Sequence, residues 1–397
     1  MTLAGRHVLL GVSGGIASYK ACTLARRLTE AGVTVDVVLT HSAAEFIRPV
    51  TFEALTGRPV LTSLWERDRA LAHIGLARDP DLVIVAPATA NLLARAAQGL
   101  ADDFLTTLLL ARTGPVLAAP AMNDAMYANP ATVQNLRTLS HRGWDFVGPE
   151  IGALAEGPSD RPGRMSEPER ILVEAERVLA RGGLWHGRRV LVTAGPTREH
   201  FDPVRVVTNP SSGRMGYALA AAAYSRGAQV TLVSGPTTLE PPEGVPLHKV
   251  ETTAELAECV RALVPQADAL FMAAAPADYR PGAPAEGKQA RGAGPLQVTL
   301  EPTVDILGSV ERPARCVSVG FALEVGDGLA RARRKLQDKR LDFIILNDAL
   351  EPGAGFEVTT NRVTILAADG REPLALPLLS KRETAERILD VVGQSLR

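Results

Sequence analysis

The chain has 397 residues, of which 46% are hydrophobic and 4% aromatic, and its formal net charge is −1. This size and hydrophobic content suffice for two or three domains with cores of their own. The balanced charge excludes a general attraction to nucleic acid or to an anionic membrane, and the few aromatic residues disfavour stacking surfaces for single strands.

Cys22, Cys259 and Cys316 are far apart in the sequence and form no closely spaced pair, so neither a disulfide framework nor a zinc site is expected. Residues 1–6 lead directly into a strand-like run without an apolar leader segment. No apolar run approaches the length that spans a bilayer. We therefore expect a cytoplasmic protein with no membrane partner.

Short apolar runs alternate with helix-like stretches in the first half of the chain. The strand-like runs are Val8–Val12, Val33–Leu39, Leu82–Val85 and Val116–Ala118, with helix-like stretches such as Ala21–Ala31 and Leu92–Leu100 between them. This alternation predicts a doubly wound, mostly parallel α/β sheet with helices on both faces. Ligands of such sheets bind beyond the carboxyl ends of the strands, so the candidate site residues directly follow each run.

Small and hydroxyl-bearing residues occupy these positions. They are Ser13, Gly14, Gly15, Thr40, Pro87, Ala88, Thr89, Ala90, Asn91 and Ala121. Such residues suit a phosphate pocket built on backbone amides, and they equally suit tight turns between strands and helices. Because Gly11–Ile16 lacks the glycine spacing of the dinucleotide fingerprint, FMN is a better cofactor candidate than NAD.

Three other residues in this half carry candidate chemistry. His73 precedes the third run, and histidine can act as a base near neutral pH. Asn123 and Met126 follow the fourth run, where an amide suits a substrate carboxylate and a methionine suits a pocket wall. A lone histidine is more often structural and an asparagine in a turn is ordinary, so both interpretations stay open at this point.

Four features of the first half together resemble the flavin-containing cysteine decarboxylases, above all their phosphopantothenoylcysteine decarboxylase members. They are Ser-Gly-Gly-Ile-Ala-Ser-Tyr-Lys at 13–20, the run at 87–91, Pro-Ala-Met-Asn at 120–123 with Met-Tyr at 126–127, and His73. The resemblance covers roughly residues 5–165. It implies a flavodoxin-like domain with FMN at the strand ends, His73 as base, and Asn123 and Met126 at the substrate. In that family the flavin oxidises the substrate thiol, carbon dioxide leaves, and the reduced flavin returns the electrons.

One departure from that family lies in the segment Gly152–Met165. The family places an acid-donating cysteine there, before a Gly-Arg-Met ending, and this sequence has Glu156 instead. A glutamic acid in a closed pocket can hold and donate a proton, so we hypothesise that Glu156 replaces the cysteine. The alternative is that the first half is a non-catalytic FMN-binding module for assembly or regulation, and only the second half turns over.

The second half begins after a predicted helix from Glu167 to about Leu179, and we place the domains at 1–180 and 188–397. It opens with the same order of strand, polar loop and helix. An apolar run at 189–192 leads to a loop that ends in Asn209, Ser211, Ser212 and Gly213, and a helix is predicted over 213–226. A helix start suits a bound phosphate, whereas serine and asparagine there also serve as ordinary helix caps.

Later segments predict a second, Rossmann-like parallel sheet. We predict strands at Val230–Val233, Ala269–Ala275, Val317–Gly320 and Phe343–Leu346, an edge strand at Val363–Leu366, and helices at Thr252–Leu263, around 331–339 and at Lys381–Val392. Residues 281–300 are rich in Pro, Gly and Ala and predict a mobile flap with Lys288 and Arg291. Lys335 and Lys339 are four residues apart and share one helix face. Such cations suit a triphosphate, and they equally suit solvent.

The second half resembles phosphopantothenate–cysteine ligase over about 188–395. The runs at 193–199, 202–205, 209–216, 277–280, 320–324 and 347–348 carry this resemblance. It implies a magnesium-requiring ligase that uses CTP to activate 4'-phosphopantothenate as an acyl-cytidylate, which L-cysteine then converts to the amide. It implies that Asn209 and Lys288 are catalytic and that Ser211, Ser212 and Gly213 bind the substrate. It places CTP against Met272, Ala273, Ala274, Asp278, Lys288, Val304, Asp305, Ile306, Leu307, Phe321, Lys335 and Lys339.

Two segments of the second half depart from the ligase pattern. The family's Asn-Pro-Asp-Ile segment is Thr303–Ile306 here, and its lysine-rich flap is reduced to Lys288–Arg291. No set of metal ligands follows from the sequence. Both resemblances together predict a bifunctional enzyme of coenzyme A synthesis, with small-molecule substrates. Family members form trimers through the flavin domain and dimers through the ligase domain, so a homo-oligomer is expected.

Overall fold

The computed structural model describes residues 3–63, 72–290, 296–324, 328–348 and 358–396. They belong to two compact units, Met1–Arg181 and Gly182–Arg397, and each unit has a mostly parallel sheet and hydrophobic cores of its own. Within these ranges no helix combines the length and the apolar character needed to cross a bilayer.

The first unit contains a six-stranded sheet, covered by helices, and a separate two-stranded hairpin formed by its last two strands. Its strands are β1 (His7–Val12), β2 (Thr34–Leu39), β3 (Val60–Leu61), β4 (Leu82–Ala88), β5 (Val116–Pro120), β6 (Trp144–Phe146), β7 (Glu150–Ile151) and β8 (Pro162–Arg164). Its helices are α1 (Ser18–Glu30), α2 (His41–Ala44), α3 (Pro49–Thr56), α4 (Ala72–Arg78), α5 (Ala90–Gln98), α6 (Phe104–Ala111), α7 (Asp124–Ala128), α8 (Pro130–His141) and α9 (Pro168–Leu179).

The sheet of the first unit has the order β3–β2–β1–β4–β5–β6, and all its pairs are parallel. Strand β3 is a two-residue strand at the edge. The other five strands, in the order β2–β1–β4–β5–β6, have the arrangement of a flavodoxin-like sheet, which confirms the predicted fold. Strand β4 is buried along its whole length because helices cover both faces. Leu24 of α1 and Ile171 of α9 pack on one face, and Leu92 of α5 and Leu105 of α6 pack on the other.

The second unit contains the remaining elements. Its strands are β9 (Arg189–Ala194), β10 (Arg198–His200), β11 (Val206–Thr208), β12 (Gln229–Ser234), β13 (Leu247–Lys249), β14 (Ala269–Met272), β15 (Tyr279–Pro281), β16 (Leu300–Pro302), β17 (Val317–Glu324), β18 (Phe343–Asp348), β19 (Thr360–Asn361), β20 (Val363–Ala367), β21 (Leu374–Ala375) and β22 (Leu379–Ser380). Its helices are α10 (Arg214–Ser225), α11 (Thr253–Leu263), α12 (Ile306–Ser309), α13 (Gly328–Asp338) and α14 (Lys381–Gly393), with a short 3-10 turn at Val264–Gln266.

The main sheet of the second unit has the order β13–β12–β9–β14–β17–β18–β20–β21. The six strands from β13 to β18 are parallel and have the order of a Rossmann sheet, as predicted. Strands β20 and β21 extend the sheet antiparallel to its neighbours. Helices α10 and α14 share one hydrophobic core with one face of this sheet, and α13 packs in a separate core.

Two strand predictions for this unit were wrong in detail. The predicted strand at Ala269–Ala275 ends at Met272, because the next residues leave the sheet and the N–H of Ala275 donates to the carbonyl of Gly195 at 2.9 Å. The predicted edge strand at Val363–Leu366 is not at the edge, because β21 pairs with its outer side. The helix predicted at Thr252–Leu263 is confirmed as α11, and the side chain of Thr252 caps it by accepting the N–H of Glu255 in a capping box.

Candidate active sites

Each main sheet reverses its strand order beside its first strand, between β1 and β4 in one unit and between β9 and β14 in the other. The loops that follow such neighbouring strands turn to opposite faces and leave a crevice at their carboxyl ends. The first unit has a cavity of about 820 Å³ there, the first cavity, and the second unit has one of about 510 Å³, the second cavity. Both volumes suit a small-molecule ligand.

The first cavity is built on the Ser-Gly-Gly loop between β1 and α1. The hydroxyl of Ser13 donates to the carbonyl of Pro87 at 2.7 Å and accepts the N–H of Thr89 at 3.0 Å, which joins the ends of β1 and β4. A Cβ added to Gly14 would lie 2.4 Å from the Cβ of Ser42, so only glycine fits between this loop and α2. Helix α1 begins without a side-chain cap, and such a helix start favours an anion.

Most of the residues predicted for the flavin line this cavity. They are Ser13, Gly14, Gly15, Thr40, Thr89, Ala90, Asn91 and Ala121. Pro87 and Ala88 lie within β4 behind the lining, where Pro87 accepts the hydrogen bond from Ser13. The lining fits FMN in kind, because the glycines leave backbone accessible and Ser13 and Thr89 add hydroxyl groups.

A hairpin formed by β7 and β8 carries Glu156 to the rim of the first cavity. The N–H of Met122 donates to the carbonyl of Gly163 at 3.0 Å, and the hydroxyl of Ser159 donates to Asp124 at 2.6 Å. The amide of Asn123 donates to the carboxylate of Glu156, and both residues line the cavity. Glu156 is exposed, so the closed pocket expected around it is absent from the described part of this single chain.

Several lining residues of the first cavity were missed by sequence reasoning. Lys20 is buried and donates to the carbonyl of Met165 and to Glu167, both at 2.9 Å, which ties the end of the hairpin to α1. Arg95 pairs with Asp102 and Asp103. The predicted base His73 lies outside the residues whose side chains the structure describes, whereas Met126 does line the cavity.

The second cavity is built on the loop between β9 and α10. Gly213 precedes α10 with φ +75°, and the helix has no side-chain cap, in contrast to α11. A Cβ added to Gly216 would lie 2.5 Å from the Cβ of Ala194, so glycine brings α10 close to β9. The amide of Asn209 donates to the carbonyl of Pro276 at 2.9 Å. This hydrogen bond links the loop between β9 and α10 to the segment that follows β14.

The second cavity brings together nearly all the residues predicted for the ligase site. These are Asn209, Ser211, Ser212, Gly213, Met272, Ala273, Ala274, Asp278, Val304, Asp305, Ile306, Leu307, Phe321, Lys335 and Lys339. Lys288 is exposed and does not line the cavity, and its neighbour Arg291 lies outside the described residues.

The two predicted lysines meet different partners. Lys335 donates to the carbonyl of Phe321 at 3.3 Å, and its burial, together with the nearby Lys339 ammonium, lowers the pKa of Lys335. Lys339 pairs with Asp305 at 3.0 Å. Burial raises the pKa of Asp305, but the hydrogen bonds from Lys339 and from the N–H of Gly308 outweigh it, and that pKa falls. Within the described ranges no three His, Cys, Asp or Glu side chains cluster as metal ligands.

A further basic group in the second cavity comes from distant parts of the chain. Lys381, the first residue of α14, is buried and lines the cavity together with Arg214, Asn347 and Asn361. Burial and the positive charge of Arg214 lower the pKa of Lys381 to about 8. No local sequence signal marks Lys381 as a site residue, since only the tertiary fold brings α14 beside α10.

Comparisons with known proteins agree with this division into two units. The flavoprotein family matches residues 1–179, and the DNA/pantothenate metabolism flavoprotein C-terminal domain matches residues 185–396. The coenzyme A biosynthesis bifunctional protein CoaBC of Vibrio vulnificus (strain CMCP6) is 45% identical over 394 residues, 98% of this chain and 97% of that protein. Its counterpart in Bacillus subtilis (strain 168) is 44% identical over 397 residues, with 98% and 97% covered. A crystal structure of the C-terminal domain of a CoaBC protein is 39% identical, covers 54% of this chain and 98% of that chain, and has a TM-score of 0.46.

Proposed function

The chain belongs to the family of bifunctional coenzyme A biosynthesis proteins, and on that basis we propose how its two cavities divide the work. The second unit joins L-cysteine to 4'-phosphopantothenate through an acyl-cytidylate made from CTP. The first unit decarboxylates the resulting 4'-phosphopantothenoylcysteine with FMN and yields 4'-phosphopantetheine. The observation that carries this division is that each unit has one cavity at the carboxyl ends of its sheet, lined by most of the residues predicted for its own reaction.

The first cavity needs its own residues for binding, orientation and proton transfer. When bound, FMN supplies the two-electron oxidation of the substrate thiol and the later return of the electrons. The amide of Asn123 has two N–H donors, one for Glu156 and one for the carboxylate of the substrate. Glu156 therefore lies beside the substrate and takes the place of the family's acid donor, which delivers a proton to the product once carbon dioxide has left. His73 stays the proposed base.

The role of Glu156 is tested by Glu156→Gln, with Asp160→Asn on the same hairpin as a matched control. We expect Glu156→Gln to release carbon dioxide but to accumulate the unreduced enethiol, with formation of the final product about 100-fold slower. Asp160 is exposed and does not line the cavity, so its variant should behave as the parent protein. Unchanged formation of the final product by Glu156→Gln would remove Glu156 from the mechanism. A parent protein that binds FMN but releases no carbon dioxide would favour the non-catalytic flavin module.

In the second cavity the basic residues act on the phosphates of CTP. A carboxylate oxygen of phosphopantothenate attacks the α-phosphorus, the bond to the β-phosphate breaks, and pyrophosphate leaves. The amine of cysteine then attacks the acyl carbon and CMP leaves. Lys335 and Lys339 stabilise the negative charge that grows on the pyrophosphate, and Asn209 orients the acyl group. We propose that Mg²⁺ enters with the triphosphate, whose oxygens supply most of its ligands.

Two measurements on the purified protein test the ligase proposal. Pyrophosphate release should require 4'-phosphopantothenate and CTP together, and ATP should substitute poorly. Removal of Mg²⁺ with a chelator should stop this release and leave decarboxylation of added 4'-phosphopantothenoylcysteine unchanged. Release that persists without a divalent cation would contradict the magnesium requirement.

We also propose that the chain assembles through trimers of the first unit and dimers of the second. Exposed apolar side chains at the first cavity support the first contact, since Ile16 is 64% exposed and Tyr19 is 58% exposed. The mass of the intact assembly tests the proposal, because both contacts together require a number of chains divisible by two and by three.

A further inference from the structure

A carboxylate without exposed surface, that of Asp202, lies in the turn between β10 and β11. Its Oδ1 accepts the N–H groups of Val204 and Arg205, both at 2.8 Å, and its Oδ2 accepts from the guanidinium of Arg205 at 3.1 Å. These donors replace the hydration that the buried carboxylate loses. The N–H of Phe201 donates to the carbonyl of Arg205 at 3.2 Å and closes the turn.

The same ion pair holds a second segment of the chain, residues 281–290, which is the first part of the predicted flap and is called the flap from here on. The N–H of Gln289 donates to Oδ2 of Asp202 at 3.4 Å, and the carbonyl of Gln289 accepts from Nη2 of Arg205 at 3.2 Å. Four residues earlier, the N–H of Ala285 donates to the carbonyl of Phe201 at 2.9 Å. The turn therefore binds both backbone polar groups of Gln289 and a second point on the flap.

The residue held in this way is the neighbour of Lys288. Consecutive Cα atoms are about 3.8 Å apart, so fixing Gln289 confines the Lys288 ammonium to the positions that its own side chain can sample. Strand β11 continues directly into Asn209, which lines the second cavity. One hairpin thus leads into the cavity loop at one end and carries the attachment of the flap at its turn.

We propose that Asp202 is a positioning residue of the ligase: with Arg205 it holds Gln289 so that Lys288 reaches the phosphates of the nucleotide. This inference rests on the proposed function, because it requires Lys288 to act on a nucleotide in the second cavity. A lysine on an anchored backbone loses less conformational entropy when it meets the phosphates. Lys288 does not line the second cavity, so this contact forms as the nucleotide reacts and not when CTP first binds. Asp202 therefore affects the rate of pyrophosphate release more than the affinity for CTP.

A double-mutant cycle in the full-length protein tests this coupling. We expect Asp202→Asn to lower kcat for pyrophosphate release about tenfold, with the Kd of CTP within about twofold of the parent value. Lys288→Met should lower kcat about 100-fold, because a charge on the phosphates is then uncompensated. In the Lys288→Met background Asp202→Asn should add less than about a twofold loss. If kcat of the double variant fell by the product of the two single losses, the two residues would act independently and the proposal would be overturned.

Two further variants keep the test decisive if Asp202→Asn folds poorly. Gln289→Pro removes the N–H that donates to Asp202, and it changes the exposed partner of this contact and not the buried one. It should reproduce the loss of kcat, and an unchanged kcat would overturn the proposal. Arg280→Gln breaks the exposed Arg280–Glu301 pair next to the flap and should leave kcat within about twofold. Decarboxylation of added 4'-phosphopantothenoylcysteine should be unchanged in every variant. If the parent protein itself releases no pyrophosphate from CTP, the proposed function has failed rather than the anchoring role of Asp202.

Discussion

The two cavities lie at equivalent places in two parallel sheets, yet their charges differ. The first is lined by three basic residues and three carboxylates, Lys20, Arg95, Arg164, Asp102, Asp103 and Glu156. The second is lined by four basic residues and two carboxylates, Arg214, Lys335, Lys339, Lys381, Asp278 and Asp305. The first cavity is therefore close to neutral, and the second is positive.

This difference follows from how the charged side chains are used. In the first cavity Arg95 is paired with two carboxylates and Lys20 with Glu167, so hydroxyls and backbone amides remain for the phosphate of FMN. In the second cavity Lys335 donates to the carbonyl oxygen of Phe321, an uncharged group, so its charge remains for a ligand. Shape therefore dominates recognition in the first cavity, and charge dominates in the second.

The largest expected effect comes from Gly14→Val, which changes the shape of the first cavity. The added side chain cannot fit beside Ser42, where even a Cβ would lie at 2.4 Å. We expect purified Gly14→Val to contain no flavin and to release no carbon dioxide, while pyrophosphate release from CTP is unchanged. Flavin absorbance and the two assays measure this.

The control for that substitution is Gly15→Ala, one residue along the same loop. A Cβ at Gly15 would meet Thr89 at 3.6 Å, an ordinary contact. This variant should retain flavin with an affinity within about tenfold of the parent value. Equal loss of flavin in both variants would show that the loop does not recognise its ligand by shape.

The charge of the second cavity is tested by Lys335→Met. Loss of a cation beside the phosphates should lower kcat/KM for CTP about 100-fold and leave decarboxylation unchanged. Arg334→Met is the control, because Arg334 is exposed on the same helix and does not line the cavity. A comparable loss in Arg334→Met would mean that the net charge of α13 matters, and not the position of Lys335.

The contrast between shape and charge also explains what the sequence could predict. The small residues that line both cavities follow strands, and strand ends in parallel sheets meet at one edge, so Ser13, Thr89 and Asn209 could be found from periodicity and loop composition. Neighbouring strands then place them together without further information.

Several other features depend on tertiary packing that no local pattern records. Lys20 and Lys381 lie on helices whose charged residues ordinarily face solvent, and only the packing of α1 and α14 buries them. Strand β21 has two residues, too few for a period-two pattern, and for that reason β20 was mistaken for the edge. The hypothesis that Glu156 replaces the cysteine relied on a closed pocket, whereas the hairpin presents Glu156 at an exposed rim.

The pH dependence of the ligase provides a finer test of the positive cavity. Since the pKa of Lys381 is lowered to about 8, its charged fraction falls about tenfold between pH 7 and pH 9. Lys381 lines the second cavity, and we propose that it binds the anionic substrate there, so KM for 4'-phosphopantothenate should rise by about that factor over this range. Lys381→Arg keeps its charge throughout and should remove the rise. Identical pH profiles for the two proteins would exclude Lys381 from anion binding.

The sign of the linked change in stability can be checked in the same pH range. The unfolded chain keeps the ordinary, higher lysine pKa, so above pH 8 it binds more protons than the folded chain does. The contribution of Lys381 should therefore increase the free energy of unfolding, and so stabilise the folded chain, as the pH rises through the interval between the two pKa values. Denaturant titrations at several pH values should show this gain in the parent protein and not in Lys381→Met.

The smallest expected effect is that of ionic strength. Its effects on CTP and on FMN can be measured on the same protein, which compares the two cavities directly. The Debye length falls from about 10 Å at 0.1 M salt to about 3 Å at 1 M, so attraction between CTP and the excess positive charge of the second cavity weakens. We expect KM for CTP to rise about fivefold between 0.1 and 0.5 M sodium chloride. The Kd of FMN should change less than about twofold, because hydrogen bonds at short range and a close steric fit are not screened. An equal dependence of KM for CTP and of the Kd of FMN on salt would mean that the paired charges of the first cavity still act on FMN. The two cavities would then differ in shape and not in how they use charge.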